Sequence, residues 1–116
     1  MENIVKTACR ALFAKRGKNV AALDISGVST IADYFVIVSA GSPPQARALM
    51  QSAVSELGKA GVFLKHTEGS PESPWYLLDF GALIIHIFTQ ADRAFYDLER
   101  VWADAVKLSV AEEACE

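Results

Sequence analysis

The sequence predicts a single mixed α/β (α+β) domain, with one mixed sheet of about five strands and three helices packed against it. Three observations carry this expectation. Three segments show apolar residues at helical spacing, and several short runs between them are rich in β-branched and aromatic residues. The third is composition: 116 residues, 52% hydrophobic and 22% charged, fit one folded domain and exclude intrinsic disorder. The element order reads α-β-β-α-β-β-β-α.

Residues 3–16 form the first predicted helix, with Val5, Ala8, Cys9 and Leu12 on one stripe and Gly17 just past its end. Residues 19–25 read as a strand, and Ser26-Gly27 turns the chain. Residues 34–39 are apolar at consecutive positions, which marks a central strand covered on both faces. Ser42, Pro43 and Gln45 fit an N-cap, a first helical position and a capping box. The helix they open buries Ala46, Leu49, Met50, Ala53, Val54 and Leu57, and Gly61 follows its end. Residues 62–66 are the third expected strand, and 68–74 a loop by their Gly, Ser and Pro content. Residues 75–79 and 82–88 form a hairpin around Phe80-Gly81. That turn pairs Trp75 with His86 and Asp79 with Ala82, and puts Trp75, Leu77, Asp79, Ile84 and His86 on one face. Thr89 with Asp92 opens the last predicted helix, whose stripe is Ala91, Phe95, Leu98, Trp102 and Ala105. The domain is expected to span residues 1–108, with 109–116 an acidic tail.

The formal net charge is −3, so long-range attraction to nucleic acid is weak, while a basic protein stays open as a partner because opposite charges would steer that encounter. Two cysteines, Cys9 and Cys115, form neither a C-x-x-C pair nor a disulfide framework. The first residues lack a signal peptide's basic and apolar regions, and the longest uncharged apolar run is too short to span a bilayer. A cytoplasmic location is expected.

Few residues invite chemistry. Gly41-Ser42 opens a helix after a strand, as in the phosphate-holding loop of nucleotidyltransferases. That reaction also needs two or three carboxylates converging on metal ions. Residues 62–66 supply none and 75–79 only Asp79, while a turn glycine and an N-cap already account for Gly41 and Ser42. His86 interrupts an apolar run and could pair with Asp79, but no serine or cysteine nucleophile is placed beside them. A half-buried histidine holding a hydrogen bond is the simpler reading. His66 and Glu68 are too few for a metal site. Phe95, Leu98 and Trp102 share a helical stripe and read as core. Trp75 begins a strand beside an acidic loop and suits either core or interface.

Taken in order, several motifs resemble one family. They are Ala32-Asp33-Tyr34-Phe35-Val36-Ile37, Ser42-x-x-Gln45, Glu68-Gly69, Trp75-x-x-x-Asp79-x-Gly81, Ile85-His86-Ile87-Phe88 and Arg93-x-Phe95-Tyr96-x-Leu98-Glu99-x-x-Trp102. Their sequence and spacing are similar to the ribosomal silencing factor family, also called RsfS or Iojap-like, over residues 22–105. The resemblance implies binding to the fourteenth protein of the large ribosomal subunit and a steric block of subunit joining that represses translation. It also implies a nucleotidyltransferase-like fold without catalytic carboxylates, a homodimer, no cofactor, no metal and no enzymatic activity. Where the family often has Asp after the turn glycine, Ala82 stands here.

The expected contact residues are Trp75 as apolar anchor, Tyr76, and the carboxylates of Asp79 and Glu68 against Lys or Arg of the partner. Gly81 and His86 are expected to shape the hairpin. The alternatives are a nucleotidyltransferase-like enzyme or nucleotide-binding remnant, and an assembly factor of the large subunit.

Overall fold

Val5, Ala8, Cys9 and Leu12 recur at helical spacing, and that stripe is fully buried on helix α1 (Asn3–Ala14). The helix ends in a Schellman pattern: the Gly17 amide donates to Leu12 O at 2.9 Å and the Arg16 amide to Phe13 O at 3.0 Å. The left-handed residue is Arg16 (φ +62°), not Gly17. Gly17 is required for space instead, because a Cβ there would lie 2.7 Å from Val38 Cγ2 and 3.0 Å from Leu12 O. This computed structural model describes residues 3–27, 32–69, 75–89 and 106–108.

Strand β1 (Lys18–Asp24) runs antiparallel to β2 (Tyr34–Ala40), with a register irregularity between Lys18 and Ala21 where Asn19 has φ +52°. Phe35 to Ala40 are all buried, as expected for a central strand. Helix α2 (Pro43–Lys59) starts where the capping signal lies, with the Ser42 hydroxyl accepting from the Gln45 amide at 3.3 Å. The reciprocal half differs from a capping box. The Gln45 carboxamide oxygen accepts from Gly41 N at 2.6 Å, and its Nε2 donates to Lys15 O at 3.2 Å and Arg16 O at 2.9 Å. At the other end Gly61 (φ +84°) closes a second Schellman pattern, with Val62 N donating to Leu57 O at 2.8 Å.

Residues 62–65, expected as strand, form an extended connector; β3 is the short His66–Glu68 that follows. Strand β4 (Trp75–Asp79) pairs antiparallel with β3 and with β5 (Leu83–Thr89), and β5 runs parallel to β2. The last strand among the described residues is β6 (Val106–Leu108), antiparallel to β1. Its order is β3-β4-β5-β2-β1-β6, one strand more than the about five expected, within the predicted mixed class. Three residues are too short a window for strand alternation to register, so β6 has no signal of its own in the sequence. Thr89, expected to open the last helix, ends β5. The remainder of that helix, with Ala91, Phe95, Leu98, Trp102 and Ala105, lies outside the described residues, as do loop residues 70–74 and tail residues 109–116.

Strand alternation divides the core in two. Val36, Val38, Tyr76, Leu78, Ile85 and Ile87 pack with α1 and α2 on one side of the sheet. Leu23, Phe35, Ile37, Ile84 and Phe88 form a second buried cluster on the opposite face, with Leu77 partly buried at its border.

Candidate functional site

The hairpin geometry follows from one turn. Phe80 N donates to Leu83 O at 2.9 Å, so the two turn residues are Gly81 and Ala82, not Phe80 and Gly81. Moving the turn by one residue shifts the register by two. Trp75 therefore lies opposite Phe88, Leu77 opposite His86 and Asp79 opposite Ile84, correcting the expected Trp75–His86 and Asp79–Ala82 pairs. A two-residue shift preserves alternation, so positions 75, 77, 79, 84 and 86 still share one face. Gly81 has φ +94°, a conformation that favours glycine, and its amide donates to Asp79 Oδ1 at 2.8 Å. Asp79 is thus a shaping residue of the turn as well as a charge on the face.

Register carries that face onto the sheet edge. His66 lies opposite Asp79, and Glu68 opposite Leu77, so both strands turn these residues the same way. Glu68 belongs to β3 rather than to the expected loop. His66 Nε2 stands 3.7 Å from Glu68 Oε1, and both side chains are more than half exposed, so water and salt screen this pair. Glu68 is exposed and Asp79 half-buried, which leaves two carboxylates at the rim beside the partly buried Leu77.

Two expected contact residues are placed differently. Tyr76 is only 4% exposed, because alternation turns it toward α1 and α2; it is core, not contact. His86 is also buried, on the candidate face but within the sheet. The Phe35 ring meets it edge-on at 4.9 Å and Phe88 stacks at 6.1 Å. Burial pushes its pKa from 6.5 down to about 4, so the ring is neutral at pH 7. Sequence reasoning overlooked Phe63, which is 69% exposed between the partly buried Val62 and Leu64. The apolar-apolar-apolar run of residues 62–64 hid it, since every position resembled core.

The loop resembling a phosphate cradle is already occupied by its own chain. Gln45 takes the Gly41 amide and Ser42 takes the Gln45 amide, so these donors have intramolecular acceptors. Among the described residues no group of three or more His, Cys, Asp or Glu could hold a metal ion, and no helix is long and apolar enough to cross a membrane.

Among the described residues, two helices cover one face of a mixed sheet, with the exposed Glu68 and the half-buried Asp79 near its β3 edge, which is the layout of a small α/β domain. The model for the family described as ribosomal silencing factor during starvation matches residues 1–116, and the chain belongs to that family. It is 36% identical over 104 residues to the ribosomal silencing factor RsfS of Bacillus subtilis, covering 90% of this chain and 88% of that one. It is 35% identical over 78 residues to the chloroplastic protein Iojap of Zea mays, covering 66% of this chain and 33% of that longer one. A crystal structure of a Chromobacterium violaceum protein superposes with a TM-score of 0.84 at 33% identity, covering 96% of this chain and 93% of that one.

Proposed function

We propose that this protein binds the large ribosomal subunit through its fourteenth protein and sterically blocks association with the small subunit, repressing translation in the cytoplasm without turnover. The observation that carries this reading is the family itself, matched along the whole chain under a name that denotes ribosome silencing. The surface assigned to docking is the rim of the β3–β4–β5 face, with Trp75, Glu68 and Asp79 as contacts and Gly81 and His86 holding the hairpin in shape. Glu68 and Asp79 present charge suited to Lys and Arg of a basic protein. Residues 1–108 act as the folded unit, 109–116 are an acidic appendage, and the protein self-associates as a homodimer.

The direct test mixes purified large and small subunits and follows their joining by sedimentation. Wild-type protein should leave two separate peaks and co-migrate with the large subunit alone. Joined subunits at saturating protein would refute silencing by occlusion.

A further inference from the structure

We propose that Phe63 is a second apolar anchor of this docking surface, seated in an apolar depression on the same basic protein partner; the inference rests on the docking reading above. Phe63 is the large hydrophobic side chain that the described residues leave in water, 69% exposed. Its exposure is built in. Val62 and Leu64 pack against the helix-side core, and the segment is pinned at both ends by Val62 N to Leu57 O and Lys65 N to Asp79 O, each 2.8 Å. Alternation between two inward residues holds Phe63 outward, so little conformational freedom remains to be lost on binding.

The same connector is continuous with the docking rim. The Lys65 backbone bonds Asp79, its side chain lies against Gly81 in the β4–β5 turn, and His66 and Glu68 follow directly in β3. An exposed aromatic beside a polar rim is how interface anchors are arranged. Charge selects the occupant. Glu68 and Asp79 place two carboxylates here beside the Lys65 ammonium and the His66 imidazole, in a chain whose net charge is −3. This end complements a basic surface and repels a second copy of itself.

The test compares wild type, Phe63→Ser, Phe63→Leu and the Glu68→Gln/Asp79→Asn double variant for binding to purified large subunits. Sedimentation is run at two salt concentrations, with thermal melts and gel filtration of each protein alone. Phe63→Ser should bind roughly tenfold more weakly with an unchanged melting temperature, and Phe63→Leu should recover most of the loss. Its defect should persist at high salt, whereas the double variant should lose part of the salt dependence. If the double variant is weakened while Phe63→Ser binds like wild type, the anchor is overturned and the docking rim stands. If every variant binds as wild type does, the docking reading itself fails. If Phe63→Ser binds normally but dissociates a wild-type dimer, the occupant is a second copy and the proposal is wrong.

Discussion

His86 has the Phe35 ring edge-on at 4.9 Å and Phe88 stacked beyond it, in a site where burial disfavours the imidazolium. With a folded pKa near 4 against an ordinary 6.5, the unfolded chain binds more protons throughout that interval. Stability is therefore complete above pH 6.5 and is lost as pH falls toward 4, by about 1.4 kcal/mol per unit. Urea midpoints taken between pH 7 and pH 5 should fall by the equivalent of about 2 kcal/mol, and His86→Gln should flatten that slope. An undiminished slope in the variant would assign the proton uptake to other groups. Glycines give a second contrast at this scale. Gly17→Ala brings a Cβ to 2.7 Å from Val38 Cγ2 and should destabilise by about 1–3 kcal/mol. Gly58→Ala, in helix α2 with nothing within 4 Å, should stabilise by about 0.5–1 kcal/mol. Thermal melts that moved in the same direction for both would show that packing at Gly17 yields more readily than its contacts suggest.

Gln45 makes α2 more than a capped helix. Its carboxamide joins Gly41 ahead of α2 to the Lys15 and Arg16 carbonyls beyond α1, so one side chain fastens three segments. Gln45→Ala should cost about 1–2 kcal/mol and Ser42→Ala about 1 kcal/mol. The two should be non-additive, because they cap the same turn; a double-mutant cycle by chemical denaturation measures that coupling. Legibility in the sequence follows from how local the cause is. Ser42, Pro43 and Gln45 act within one turn, and the start of α2 is readable from them; the reach of Gln45 to Lys15 and Arg16 spans about thirty residues and is not. Leu77, Asp79, Ile84 and His86 share a face by alternation alone, which survives any even shift of register. Their pairing depends on whether Gly81 is the first or second turn residue, and both are compatible with a glycine. The core position of Tyr76 is legible by the same rule, since the alternation that puts Asp79 on the candidate face puts Tyr76 on the other. β3 begins at His66 because pairing with Asp79, a tertiary matter, decides where the connector becomes strand.

At the scale of the whole molecule, the sheet buries both faces near its centre and leaves the carboxylates of Glu68 and Asp79 near one edge. α1 and α2 occupy one side, Leu23, Phe35, Ile37, Ile84 and Phe88 are buried on the other, and at the β3–β4 rim His66, Thr67 and Glu68 are exposed while Leu77 and Asp79 meet solvent in part. Docking through that rim makes a prediction separable from folding. Asp79→Asn keeps an oxygen to accept from Gly81 N, so the turn should persist while the charge is lost. Trp75→Ala removes the proposed anchor, and hot-spot truncations of this kind cost about 2 kcal/mol or more, roughly a thirtyfold loss of affinity. The two together should let large and small subunits join at protein concentrations where wild type holds them apart. Exposed charge pairs weaken with salt, so wild-type binding should fall between low and high ionic strength and Asp79→Asn should fall less steeply. Gln51→Ala serves as control: Gln51 is exposed on α2, on the opposite side of the sheet, and its loss should leave docking and stability within about 0.5 kcal/mol. Each variant is read only with wild-type helical content and a cooperative melt, because Trp75 opens a strand bonded to β5. A folded Trp75→Ala/Asp79→Asn protein that still separates the subunits places the docking surface elsewhere on the molecule, and a Gln51→Ala protein that fails to separate them would point to the helical face.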